Sequence, residues 1–361
     1  MVILLGSPFI IFLHATNHNT FMKLRNLFPL LMLLFITARC GTENKPGTIM
    51  TVNGPIKTEN TGIWLTHEHI LVDFIGADSI SPSRYDRVTV ISRALPFLKK
   101  AKQMGCGTFV ECTPEFLGRD PLILKALSDS AGINILTNTG YYGANNNKYI
   151  PSSYLNLSAE ELSKKWIKEW EGGIGNTGIK PGFIKIAVNR DSLSEFHSTL
   201  VRAAALAHLE TGLTIASHTG PAIPAFQEIE ILKGEGVSPE AFIWVHASGE
   251  KDLLRLADAA SMGVWISLDN LNDDNSEKLI STMKLLKEKG VLNKVLISHD
   301  AGWYDPAKEN GGDFRGYNTM FEKLIPKMKE DGFTGEEIEQ VFVKNPSLAY
   351  AVRIRKLYNM N

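Results

Sequence analysis

Residues 182–188 read Gly-Phe-Ile-Lys-Ile-Ala-Val, an apolar run with Lys185 at its centre. Ile184, Ile186 and Val188 alternate with Phe183, Lys185 and Ala187, so neither face is polar. That pattern predicts a strand of a parallel sheet, covered on both sides. Taking an ammonium out of water is costly, and burial favours the neutral amine. One reading of Lys185 is a structural salt bridge. The other is chemical: a neutral amine reacts with carbon dioxide to give an anionic carbamate that can bridge two metal ions. The second reading requires metal ligands elsewhere in the chain.

Such ligands stand at the ends of other strand-like runs. The first run leads into His67-Glu68-His69, the fifth into His218, the sixth into His246 and the eighth into Asp300. Residues two apart on a strand point to the same side, so His67 and His69 share a face. Glu68 then points away, toward a structural partner. Imidazole suits zinc, and zinc, cobalt or manganese fits an N/O site of this kind. Four of the nine histidines fall at these positions, which favours a metal site over scattered packing roles. His197 and His208 lie on a predicted helix and read as surface or supporting residues. His299 should face opposite to Asp300, toward the helix layer. No Gly-x-Ser-x-Gly elbow exists, which argues against a serine hydrolase.

Eight strand-like runs must position these residues: 62–66, 108–112, 134–138, 183–187, 213–217, 242–245, 264–268 and 294–298. Amphipathic helical stretches alternate with them at 88–104, 121–131, 159–170, 195–210, 222–233, 251–262 and 276–289, with 314–330 and 335–343 closing the chain. Several of these end at glycine, as at Gly105, Gly132, Gly212, Gly263 and Gly290. Strand–helix alternation implies a parallel sheet, and eight units predict closure into an α/β fold of the (β/α)8 (TIM) barrel type. Active groups of such barrels sit at the C-terminal ends of the strands, where the candidates fall. A doubly wound open sheet would want a Gly-rich turn after its first strand, where this chain has Thr66-His-Glu-His69.

The chain has 361 residues, 44% hydrophobic, with a net charge of -1, which allows one large core and gives no footprint for nucleic acid. Residues 27–37 form an apolar run preceded by Lys23 and Arg25, too short for a comfortable bilayer span but suited to a signal peptide. Met22 reads as the true start. Cys40 follows the run in the manner of a bacterial lipoprotein, although Arg39 occupies a place where a small residue is wanted. The expectation is an exported protein, periplasmic or anchored at the membrane through a lipid on Cys40. Residues 1–47 are read as this extension and linker, and residues 48–361 as a single catalytic barrel. Cys106 and Cys112 lie at opposite ends of one predicted strand, roughly 20 Å apart, too far for a disulfide.

Taken together, Thr51-Val-Asn-Gly-Pro-Ile56, Gly62-Ile-Trp-Leu-Thr-His-Glu-His69, Lys185, His218, His246, Asp300 and Asn345-Pro-Ser347 resemble the phosphotriesterase family of the amidohydrolase superfamily. The resemblance implies two divalent metal ions, zinc for preference. It places His67, His69 and Asp300 at the more buried ion and His218 and His246 at the more exposed one. N6-carboxylysine at Lys185 would bridge them together with a hydroxide. It implies hydroxide attack on a phosphoester, lactone, carboxylic ester or amide of a small-molecule substrate, with ester bonds expected first. Asp300 accepts the proton, and a homodimer is common in the family. Asp269 is kept, but Asn270 and Gly249 stand where the family's proton relay has a histidine and an aspartate, and lactone-hydrolysing members carry arginine at the position of Asn270.

The candidate substrate contacts are Tyr141, Tyr142, Asp269, Trp303 and Tyr304, with the loops 270–275 and 302–312 as selectors. Two alternatives stay open. A mononuclear, deaminase-like amidohydrolase would not need Lys185 and would want an acid near His218, where Thr219-Gly-Pro221 offers none. A metal-stabilised surface binding protein without catalysis is compatible with the altered relay.

Overall fold

The computed structural model describes residues 47–357, so the signal-like run and Cys40 lie outside the described residues. The β-branched and aromatic runs become strands, and the helices between them end where predicted. Pro121–Ala131 ends at Gly132 and Glu195–Thr211 at Gly212, both glycines in the left-handed conformation at φ 65° and 74°. A side chain at either position would oppose that turn, which is why the helix stops there. Ser158 and Glu161 form a capping box at the start of Ala159–Gly172.

A hairpin of β1 (Thr48–Thr51) and β2 (Gly54–Lys57) precedes the main sheet. Then come β3 (Ile63–Leu71), β4 (Cys106–Glu111), β5 (Asn134–Leu136), β6 (Asn138–Thr139), β7 (Phe183–Ala187), β8 (Ile215–His218), β9 (Phe242–Val245), β10 (Trp265–Leu268), β11 (Val295–Ile297) and β12 (Gly302–Tyr304). Strands β3 to β5 pair in parallel, as do β6 to β11, and only Thr137 separates β5 from β6. The ring closes where the Asp300 amide donates to the His67 carbonyl at 3.1 Å and the His69 amide to the Ala301 carbonyl at 2.9 Å. This is a (β/α)8 barrel.

Alternation along β7 sorts side chains as expected. Phe183 joins the barrel interior with Trp64, Val110, Leu136, Ile243 and Leu296, whereas Ile184 and Ile186 join the layer between sheet and helices. Lys185 shares parity with Phe183 and so points inward, one pleat nearer the C-terminal mouth. Tyr350 and Ile49 pack into the same interior cluster. Cys106 and Cys112 are buried and free, as the strand geometry predicted.

Two expectations are corrected, and one irregularity is new. The first barrel strand was expected to stop at Thr66, but β3 runs to Leu71 because the chain after β11 continues as β12 and pairs with it, Gly302 opposite His69. The register of β3 against β4 also shifts between Leu65 and Glu68. Trp64 and His67 therefore both face inward although they are three apart, the re-aiming that a bulge produces. Finally, the helix expected over 314–330 begins only at Met320, with a π turn over Met320–Leu324. His299 Nε2 accepts the Met320 amide at 3.1 Å and fixes that start, leaving residues 314–318 as loop.

Candidate metal centre

The strand ends bring the six predicted residues to the mouth of the barrel. Ligand atoms of His67, His246 and Asp300 lie within 4.8 Å of one another. His69 Nε2 is 3.1 Å from Asp300 Oδ1, and His67 Nε2 is 3.5 Å from the same oxygen. The His218 and His246 rings are 4.3 Å apart between centroids, and those of His67 and His246 5.1 Å. Lys185 is 1% exposed and its Nζ has no hydrogen-bond partner among the described residues.

Three of the four imidazoles have a side-chain partner, whereas His67 Nδ1 has no hydrogen-bond partner among the described residues. Asp269 accepts from His246 Nδ1 at 2.8 Å through Oδ1 and from the His246 amide at 2.9 Å through Oδ2. Ser267 Oγ donates to the same Oδ2 at 2.7 Å. Thr113 Oγ1 lies 2.8 Å from His69 Nδ1. The Tyr142 hydroxyl is 3.0 Å from His218 Nδ1. For His246 the carboxylate keeps the ring proton on Nδ1 and leaves the Nε2 lone pair toward the centre, the orientation that a metal-ligating histidine needs. Glu68 is fully buried and turned away from the ligands, where it accepts from Ser298 Oγ at 2.7 Å, from His299 Nδ1 at 2.6 Å and from the Ala301 amide at 2.9 Å.

Charge follows from this burial. Desolvation, with the Lys185 charge second, holds the His67 imidazole well below its ordinary value. Desolvation followed by the His246 charge does the same to His218. Desolvation also pulls on His246, but the Asp269 carboxylate outweighs it and raises that imidazole. Burial opposes ionisation of Asp300, yet the bond from His69 and the surrounding cations lower its carboxyl. His67 and His218 are thereby biased to the neutral imidazole and Asp300 to the carboxylate, the protonation states that metal ligation requires.

The donor set fits divalent metal by its own chemistry. Four imidazoles, one carboxylate and a buried amine converge, and that amine has no hydrogen-bond partner among the described residues, a costly arrangement for an ammonium. A sequence profile of the phosphotriesterase family matches residues 47–350. The chain belongs to the phosphotriesterase family. Among relatives, an aryldialkylphosphatase of Saccharolobus solfataricus is 29% identical, with 81% of this chain and 95% of that protein covered. N-acetyltaurine hydrolase of Homo sapiens is 24% identical over 83% of this chain and 97% of its own. A solved mutant of the organophosphorus hydrolase from Deinococcus radiodurans superposes with a TM-score of 0.75 at 26% identity, covering 84% of this chain and 97% of that one. This phosphotriesterase-family chain is accordingly a metal-dependent hydrolase of small molecules.

The remaining candidates separate by environment. Tyr142 faces the centre. Trp303, in the left-handed conformation at φ 52°, sets its indole edge-on to His69 at 5.8 Å. Tyr141 turns the other way, into a cluster with Phe116, Tyr154 and Trp166, and is 2% exposed. Successive residues on an extended chain face opposite sides, so only one of the pair reaches the centre. The Tyr304 ring lies against Gly311, where an added Cβ would sit 2.1 Å from its Cδ2. Asp269 is fully buried behind His246. Tyr141 and Asp269 thus offer no atom to the cleft, a correction to their reading as substrate contacts. Sequence reasoning missed Thr113, whose only signal was its place two residues beyond Glu111 at the end of β4.

Proposed function

We propose that this chain holds two divalent ions, zinc for preference, between His67, His69 and Asp300 on one side and His218 and His246 on the other, with Lys185 carbamylated as the bridge. The observation that carries this reading is the Lys185 Nζ, buried beside the imidazoles with no hydrogen-bond partner among the described residues. The ammonium first gives up one proton to solvent; attack of the resulting neutral amine on carbon dioxide then forms an N–C bond and releases a second proton, so that a cation becomes an anion. The new charge has the sign that two cations want.

When bound, the ions would lower the pKa of a water and polarise the oxygen of the bond to be cleaved. The protein does the rest. Asp269 fixes the tautomer of His246, and Thr113 orients the His69 ring. Asp300, ionised and bonded to His69, is the group that accepts a proton from attacking water. Tyr142 and Trp303 wall the approach. The relay positions occupied by Asn270 and Gly249 cannot carry that proton outward, so it leaves from Asp300 to solvent at the mouth, where the carboxylate is 31% exposed. The scissile bond is a phosphoester, carboxylic ester, lactone or amide, and the relatives' names include both a phosphatase and an amide hydrolase.

Lys185→Ala tests this. The variant should lose activity and metal, and short carboxylic acids should restore part of both by standing in for the carbamate. An alanine variant that keeps two ions per chain and full turnover unaided would overturn the bridge.

A further inference from the structure

The rim of the centre carries two arginines on opposite sides. Arg315 lies in the loop that the sequence had assigned to a helix. Its Nη2 donates to the carbonyl of Asp300, and its guanidinium sits 5.4 Å from the centroid of Trp303, whose indole in turn meets His69. The residue is nevertheless exposed, so most of its donors face solvent. Arg190 follows β7 at the same end of the barrel. It is exposed, and it packs over Gly220, where an added Cβ would be 3.4 Å from its Nη1. Its charge is among those that depress the neighbouring His218.

Neither guanidinium forms an ion pair with a described residue, whereas Arg84, Arg87, Arg119, Arg202 and Arg353 do. Held by a carbonyl and an indole face, Arg315 is a preorganised fork whose free donors match a carboxylate or another oxyanion. Acidic side chains line the cleft of ≈ 570 Å³ on its far side. Two of these are already answered, Asp273 by Lys323 and Glu322 by Lys100. Beside the arginines runs an apolar wall of Val72, Leu117 and Tyr149 with Tyr142 and Trp303 packed on it.

We propose that the substrate is an acyl compound bearing an oxyanion. Its apolar acyl part lies on the Tyr142–Trp303 wall, and its carboxylate or equivalent group is read by Arg315, with Arg190 drawing it in from the opposite rim. The proposal rests on the hydrolase reading above and narrows it. A neutral triester leaves both guanidinium groups unused, so the site discriminates against it.

Calorimetric binding to the purified, metal-loaded protein tests this without requiring turnover. The probes are N-benzoylglycine, N-benzoyl-β-alanine and N-benzoyl-4-aminobutyrate, each against its methyl ester, which keeps the amide and removes the charge. At least one acid should bind about tenfold more tightly than its ester, as a charge-assisted pair gives. In Arg315→Met that preference should fall to about twofold, and in Arg190→Met it should weaken and lose part of its salt dependence. Arg202→Met, on the outer helix layer, should leave the preference intact. Equal affinity of acid and ester throughout the series overturns the proposal. So does an acid preference that survives Arg315→Met, since the metals alone would then be holding the anion. If the preference behaves as expected but no acyl compound is cleaved, the reaction is wrong and the recognition stands.

Discussion

Glu68 grips the chain on both sides of Asp300. Oε1 accepts the His299 amide at 3.0 Å and Oε2 the Ala301 amide at 2.9 Å. Asp300 between them has φ 53°, a conformation that L residues seldom adopt without support. Two amides converging on one anion around a left-handed residue make a small anion-binding concavity, and here the anion is built into the neighbouring strand. His246, at φ 60°, is held by Asp269, which accepts its own amide and its ring N–H. Two candidate ligands thus sit on strained backbone, and each is fastened by a buried carboxylate from the adjacent strand.

Glu68→Gln should therefore cost about 2 kcal/mol of unfolding free energy in metal-free protein, because one acceptor of a buried network becomes a donor. It should also loosen the ion held by His67, His69 and Asp300 more than the one at His218 and His246. Chelator competition on the metal-loaded variant checks this, and unchanged retention of both ions would remove the role given to Glu68.

Asp269→Asn exchanges the acceptor that orients His246 for an amide that can donate to Nδ1 and so place the ring proton on Nε2. Affinity for the more exposed ion should fall by about 10–100-fold, the usual effect of removing such a partner. Metal titration of the variant, with the His67–His69 ion as internal reference, reads it. Parallel loss of both ions would point to misfolding instead.

His208, in the last turn of the helix Glu195–Thr211, reports on stability. Its Nδ1 bonds the Leu213 carbonyl at 2.8 Å, its Nε2 accepts the Arg355 amide at 2.9 Å, and burial lowers its pKa to about 4. A histidine depressed in the folded state contributes fully above the unfolded value of 6.5 and loses that contribution as pH falls toward 4. Over that window the loss amounts to about 3 kcal/mol. His208→Gln should lower stability at pH 7.5 and flatten the decline between pH 6.5 and 4, as measured by urea unfolding. An unaltered slope would show that the imidazole is not titrating in this way.

Glu228 predicts the opposite slope. It is fully buried, with Oε2 accepting from Thr219 Oγ1 at 2.6 Å and Oε1 from Ser217 Oγ, so it braces both neighbours of His218. Burial raises its carboxyl to about 8. Its contribution is complete below the unfolded value of 4.5 and drains away as pH rises toward 8, at about 1.4 kcal/mol per unit. Glu228→Gln, which cannot ionise, should become more stable than the parent above pH 8. A variant that is less stable at every pH would count against this.

Much of this centre could be read in one dimension. Lys185 sits in a strand with no polar face, and histidines or an aspartate follow runs bounded by helix-ending glycines. Such periodicities are local, set by the pleat and the helical turn, and they survive without knowledge of neighbours. The turn of a single side chain is harder to read. Tyr141 and Tyr142 are alike in sequence, and only the pairing of Tyr142 with Ala187 in β7 decides that it faces His218.

The order of elements, the inward parity of Lys185 and the collection of ligands at one end belong to the sequence, because strand–helix alternation with eight repeats leaves little other than a closed parallel barrel. Tertiary structure alone decided the irregularity between Leu65 and Glu68 that turns His67 inward. It also decided the buried carboxylates that fasten His246 and Asp300, and the loop that sets Arg315 over Trp303. Each of these depends on which strand or loop lies alongside, and contacts between residues some 230 apart, such as Glu68 with His299, leave no trace in local pattern.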